Sequence, residues 1–234
     1  MTETNAPLVS IIVPVFNEAE TVSLVIDRLL NIDLPAPREI VVVNDGSTDG
    51  TRAALDRMPP NPIVRVIHAD NNRGKGHAVR QGLSRASGSV IAIQDADLEL
   101  DPAQLAELVA PVLTGEADVV YGSRFLLATD APFMTVAGNK LLTAITNLLF
   151  GSSLTDMETC YKVMRGDIAR SLQLSADRFD IEPEITARLL LAGHRIVERP
   201  VRFAARSRSA GKKMRWRDGW MALQILAIQR LRGR

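Results

Sequence analysis

Residues 89–102 read SVIAIQDADLELDP. The apolar run 89–93 has the length and composition of a buried strand, and Asp101 before Pro102 reads as a helix cap with proline at the first helical position. Between them stand Asp95, Asp97 and Glu99, so four acids fall within seven residues where a strand ends. Like charges this close raise each other's pKa unless a cation neutralises them. A hard divalent cation that keeps some waters and bridges substrate phosphates gives such a cluster a purpose. Capping accounts for Asp101 alone, and the other three acids point to metal and phosphate.

The same strand-then-turn pattern repeats on both sides of this stretch. Residues 8–13 (LVSIIV) form a strand ended by Pro14, and Asn17 with Glu20 has the spacing of a capping box. Val22, Val25, Ile26, Leu29 and Leu30 follow at helical spacing. Residues 39–44 (EIVVVN) run into the turn DGSTDG (45–50) and a helix over 51–58. Residues 63–68 (IVRVIH) run into NNRGKG (71–76) and a helix through Ala78, Val79 and Leu83. Residues 118–121 (DVVY) lead into GSRF (122–125). Five alternations of strand and helix predict an α/β domain, a mostly parallel sheet with helices on both faces. Ligands of such sheets bind beyond the carboxyl ends of the strands. VFNE (15–18), NDGSTDG, NNRGKG, QDADLE and GSRF all fall at such ends.

Beyond residue 125 the pattern loosens. Residues 133–150 look helical, 154–164 (LTDMETCYKVM) are mixed, and 181–191 read as a helix carrying Glu182 and Glu184. Residues 195–204 alternate like an edge strand containing Pro200, and 219–231 form an apolar helix with arginines at its end. Apolar content of 46% with 24% charged residues places the chain among globular proteins. The one cysteine, Cys160, allows no internal disulfide. The stretch 1–7 lacks the pattern of a signal peptide, and no uninterrupted apolar run reaches the length of a membrane span, so a soluble or peripheral protein is expected. Net charge is +1, but residues 195–234 hold 12 basic residues against 2 acids, leaving 16 against 25 for the rest. An acidic body with a basic tail suits an anionic partner.

Several chemistries are excluded. No G-x-G-x-x-G follows the first strand, and RGKG (73–76) lacks P-loop spacing. The three histidines, His68, His77 and His194, are scattered, and no G-x-S-x-G is present. A glycine- and arginine-rich loop, expected after the first strand of a sugar-1-phosphate nucleotidyltransferase, is absent.

Taken together, VSIIVPVFNE (9–18), EIVVVNDGSTDGT (39–51), NNRGKGHAVRQG (71–82), QDADLELDP (94–102) and ADVVYGSRF (117–125) resemble glycosyltransferase family 2, with its Rossmann-like GT-A fold. The dolichyl- and polyprenyl-phosphate sugar transferases are the most similar subgroup. The resemblance implies a nucleotide-sugar donor, with Pro14, Val15, Glu18, Asp45, Lys75, Ala96, Arg206 and Lys212 on its side of the site. Asp95 and Asp97 match the Asp-x-Asp motif that holds Mg2+ or Mn2+ against the diphosphate, and Glu99 stands where relatives often carry glutamine. Arg124 resembles a residue that reads the acceptor phosphate. Asp156 and Glu158 fall where relatives place an acid near the reacting centre. Arg206, Arg208, Lys212 and Lys213 resemble a basic loop that closes on the donor.

The expected reaction is sugar transfer to a lipid phosphate with inversion at the anomeric carbon. Such an acceptor is already anionic, whereas a hydroxyl acceptor on a soluble saccharide would need Asp156 or Glu158 as base. A scaffold that binds nucleotide-sugar without catalysis is the third alternative. Residues 1–204 read as the catalytic domain. Residues 205–234 read as a basic loop and amphipathic helix that packs on the domain, pairs with a second copy, or meets the membrane from the cytoplasmic side. Nucleic acid is not an expected partner, because stacking aromatics are few.

Overall fold

A computed structural model describes residues 7–129, 131–205 and 216–232, with the side chains of 216–218 left out. Seven strands form one sheet in the order β3-β2-β1-β4-β6-β5-β7. They are β1 (Val9–Val15), β2 (Arg38–Asn44), β3 (Val64–His68), β4 (Val90–Ile93), β5 (Val119–Ser123), β6 (Lys162–Arg165) and β7 (Ile196–Pro200). Every pairing is parallel except those of β6, which runs antiparallel to both β4 and β5. The carboxyl ends of the other six strands therefore share one edge with the start of β6.

Alternation along the strands sends side chains into two cores. Val9, Ile11 and Val13 of β1, with Ile40, Val42 and Ala92, pack with Val22, Val25, Ile26 and Leu29 of α1 (Val22–Asn31) and with α4 (Leu105–Leu113). Ile12, Ile91 and Ile93 face the other way, onto Val79 of α3 (Lys75–Leu83) and Ile181, Ile185 and Leu189 of α7 (Ile181–Leu191). Full burial of each such side chain is worth about 1.5–3 kcal/mol. The remaining helices are α2 (Thr51–Asp56), α5 (Phe133–Phe150), α6 (Gly166–Ser171) and α8 (Trp216–Arg232). α5 and α8 pack on each other and on α7 through Leu142, Met157, Ala187, Ala222 and Leu226.

Two local readings need correction. Pro14 does not end β1: it pairs in register with Val43, and Val15 with Asn44. The β1–β4 ladder stops at Ile12–Ile93, so proline's missing donor falls where β4 is no longer alongside. Asn17 is not the cap of α1. It has φ 54° and bonds Thr48, and the residue before the helix is Thr21. The loop-to-loop contact outcompetes local capping. Asp101 does cap, accepting from Ala103 N ahead of Pro102.

Among the described residues α5 is the one helix long and apolar enough to cross a membrane by length and composition.

Candidate functional site

The strand order 3-2-1 reverses direction between β1 and β4, which makes a crevice at their carboxyl ends. Residues 15–18 leave β1 there, and residues 94–101 leave β4. Thr21 joins the two, its hydroxyl lying 2.7 Å from Ala96 O and 2.9 Å from Glu18 Oε2. The acidic loop is fixed from within. Gln94 Nε2 donates to Asp95 O and Leu100 O, and the Tyr161 hydroxyl lies 2.7 Å from Gln94 Oε1 and 2.8 Å from Asp101 O. Asp97 Oδ1 accepts from Glu99 N at 3.1 Å, turning the chain through Leu98 at φ 61°.

Asp45, at the end of β2, is 2% exposed. Its carboxylate accepts from Gly74 N at 2.6 Å, Arg73 N at 3.1 Å and Asn72 Nδ2 at 2.8 Å. It thereby sets the 71–74 turn that launches α3, and with it Lys75.

Lys75 is the centre of a charged chain. Its Nζ lies 2.8 Å from Asp95 Oδ1 and 2.8 Å from Glu182 Oε1. The other oxygen of Glu182 pairs with Lys162, which is completely buried and also donates to the carbonyls of Met157 and Thr159. Burial works against the Lys75 charge, but Asp95 and Glu182 outweigh it and raise its pKa. Burial likewise opposes the Glu182 charge, and Lys162 and Lys75 outweigh it, holding that carboxyl below its usual range.

The 155–160 turn carries a second pair. Arg124 donates from its backbone N (2.9 Å) and Nε (2.7 Å) to Asp156 Oδ2, and from Nη2 to Oδ1 at 2.7 Å. Glu198 holds the same turn, accepting from Thr155 N and Asp156 N. The guanidinium also stacks 5.6 Å from the Phe125 ring centre and 5.5 Å from that of Phe203. Glu158 has a buried Oε1 without a hydrogen-bond partner. Burial first, and the charge of Glu182 second, push its carboxyl up to about 7.

The structure thus brings Pro14, Val15, Glu18, Asp95, Ala96, Asp97 and Glu99 to the β1/β4 crevice, tied through Lys75, Glu182 and Lys162 to the turn bearing Asp156 and Glu158. Asp45 serves the neighbouring turn. Arg206, Arg208, Lys212 and Lys213 lie outside the described residues. The sequence places Glu182 only on the 181–191 helix and does not single out Lys162, whose run 154–164 reads as mixed. Among the described residues no three of the His, Cys, Asp and Glu side chains gather as a metal cage.

The family model for glycosyl transferase family 2 matches residues 10–172. An undecaprenyl-phosphate mannosyltransferase of Micrococcus luteus is 32% identical over 216 residues, covering 86% of this chain and 85% of that protein. Glycosyltransferase AglD of Haloferax volcanii is 29% identical over 202 residues, covering 82% of this chain. This chain spans only 32% of the AglD length. Glucosyl-3-phosphoglycerate synthase from Mycobacterium tuberculosis, crystallised with Mn2+, UDP and phosphoglyceric acid, superposes with a TM-score of 0.74 at 19% identity, over 96% of this chain and 78% of that one. At that identity the likeness speaks for the fold.

Proposed function

The chain belongs to glycosyl transferase family 2, and from that premise we propose that it moves a sugar from a UDP- or GDP-linked donor to a polyprenyl or dolichyl phosphate, with inversion. The observation that carries this reading is Asp95: a carboxylate at the β1/β4 switch point, held in place by Lys75, whose side chain is only 12% exposed. The relative of similar length named for an undecaprenyl-phosphate acceptor supports the lipid acceptor. The acceptor's charge at neutral pH lets transfer proceed without a strong base, as suits a site whose Asp156 is committed to Arg124.

The residues present fit Mg2+ or Mn2+. Asp95 and Asp97 offer hard oxygen ligands with Glu99 beside them, and the lack of a three-ligand cage among the described residues suits an ion shared with a diphosphate. When bound, such an ion neutralises charge on the departing nucleoside diphosphate. The chain's own part is positional. Lys75 orients Asp95, Asp45 fixes the turn before Lys75, and Tyr161 with Gln94 sets the acidic loop. Arg124 offers a fixed positive charge at the end of β5 for an acceptor phosphate. Residues 1–204 act as the catalytic domain, with 205–234 as its basic loop and helix, at the cytoplasmic face of the membrane.

Glu158 favours a second reading. A carboxyl with a free buried oxygen and a pKa near 7 is suited to take a proton, so a hydroxyl acceptor would be served by Glu158 rather than Asp156.

Label transfer from a panel of UDP- and GDP-sugars to polyprenyl phosphate, with Mn2+ or Mg2+ and with EDTA, tests the proposal. Label entering the lipid from one donor, and lost with EDTA, is expected. Donor hydrolysis with no labelled lipid would overturn the acceptor. Retained Mn2+-dependent donor affinity in Asp97→Ala would overturn the metal ligands.

A further inference from the structure

Lys162 opens β6 and Glu182 stands in the first turn of α7. Both are buried, Lys162 at 0% exposure and Glu182 at 3%. The Lys162 ammonium is closed in by Glu182 Oε2, by the carbonyls of Met157 and Thr159, and by the Tyr121 ring, whose centre lies 4.7 Å away. Taking two charges out of water costs about as much as their attraction returns, so apolar residues of the same volume would join β6 to α7 as well or better. Stability does not account for the pair.

Its place in the charged chain does. Glu182 turns its other oxygen to Lys75 at 2.8 Å, and the same ammonium lies 2.8 Å from Asp95 Oδ1. Charge therefore alternates inward from the crevice through Asp95, Lys75, Glu182 and Lys162. If Lys75 answered to Asp95 alone, that pair would be neutral and Asp95 would have little pull left for a cation. Glu182 offsets the ammonium and leaves Asp95 with net negative charge. Lys162 offsets Glu182 in turn and limits that excess. Little water screens the inner members, so each charge is felt by the next.

We propose that Glu182 and Lys162 set the affinity of Asp95 for the divalent cation, Glu182 strengthening it and Lys162 weakening it, with Lys75 as the link. Neither residue is a ligand, and both act through Lys75. The proposal rests on the reading of Asp95 and Asp97 as the ligands, and adds the two residues that decide how tightly they hold. Glu182→Gln removes one negative charge from the group, Lys162→Met removes one positive charge, and the double variant leaves the balance unchanged. The three should rank by net charge and not by how many contacts each has lost.

The test is calorimetric titration of the 234-residue chain with UDP and with GDP, each in Mn2+ and in EDTA. The quantity read is the factor by which Mn2+ tightens nucleotide binding. All proteins carry Glu158→Gln, because Glu158, raised by burial first and by Glu182 second, would otherwise ionise once Glu182 is gone and replace its charge. Against that background Glu182→Gln should lower the Mn2+ factor by about tenfold or more, the scale on which one neighbouring charge alters a carboxylate's hold on a proton. Binding in EDTA should hold or tighten, since the diphosphate is itself anionic. Lys162→Met should raise the factor, and the double variant should return it close to the background value. Equal losses in Mn2+ and in EDTA would make Glu182 a packing residue and overturn the proposal. So would a Lys162→Met that lowers the factor, which decides the matter even where Glu182→Gln does not fold. Asp97→Ala should abolish the factor. If the factor persists there, or if neither nucleotide binds more tightly with Mn2+, the ligand assignment fails and the proposal with it. Loss of the factor in Asp97→Ala with an unchanged factor in Glu182→Gln overturns the proposal alone.

Discussion

Lys75 Nζ stands 2.8 Å from Glu182 Oε1 and 2.8 Å from Asp95 Oδ1, so one ammonium at the start of α3 ties a carboxylate of α7 to the acid that leaves β4. With Lys162 on the far side of Glu182, two cations and two anions close a compact neutral group beneath the crevice. Removing one member leaves an uncompensated buried charge, which costs far more than the net worth of the pair.

Lys75→Met should therefore destabilise the chain by about 3–5 kcal/mol, read as a lower urea midpoint with an unchanged slope. It should also weaken donor binding at least tenfold by calorimetry, because Asp95 loses its anchor. Lys75→Arg keeps the charge and should recover most of the stability. Full donor affinity in Lys75→Met would dissociate Asp95 from its supposed support.

Arg124 and Asp156 form a fork: two side-chain bonds of 2.7 Å and one from the backbone. Lysine cannot reproduce that geometry. Arg124→Lys should lower sugar transfer by about 100-fold, the scale of losing one fixed electrostatic donor. Donor affinity should change little, since the pair lies at the end of β5 and not at the β1/β4 crevice. Equal losses in donor affinity and rate would place Arg124 on the donor side instead.

The alternation of strands and helices was legible because β1 to β5 are short apolar runs, and the first four lead through polar or glycine-rich turns into helical spacing. The crevice was legible for the same reason: a parallel sheet sends every such turn to one edge. β6 was not. Lys162, Val163, Met164 and Arg165 mix charged and apolar residues with no two-residue period, and the run becomes a strand only because β4 and β5 flank it. The partnership of Lys162, Glu182 and Lys75 crosses about a hundred residues of chain, and nothing local encodes it. Asn17 shows the converse, a good local cap diverted to a partner 31 residues away.

Gly46 tests the turn next to Asp45. It has φ +63°, and a Cβ there would stand 2.4 Å from backbone atoms of Asn71 and Asn72. Those residues cannot yield without disturbing Arg73 N and Gly74 N, which Asp45 holds. Gly46→Ala should cost about 1–3 kcal/mol from backbone strain alone, and more from the clash. By shifting the start of α3 it should also weaken donor binding. A variant with wild-type melting temperature would mean that the 71–74 turn is not fixed through Asp45.

Glu158 gives a prediction in pH. Its carboxyl is pushed from 4.5 to about 7 by burial and by Glu182, against the pull of Lys162 and Arg124. The folded protein therefore holds a proton on Glu158 that the unfolded chain gives up at lower pH. Between about pH 4.5 and 7 the native state binds more protons at this site, so its contribution to stability falls as pH rises through that window. Glu158→Gln keeps the shape of the protonated acid and cannot ionise. Its melting temperature should match wild type most closely at pH 5 and exceed it at pH 8, where wild type carries a buried charge beside Glu182 and Asp156. The same variant separates the two acceptors: transfer to a prenyl phosphate should survive, whereas transfer to a hydroxyl acceptor, needing Glu158 to take its proton, should collapse. A melting difference that is constant from pH 5 to 8 would show that Glu158 ionises as freely in the folded protein as in the unfolded chain.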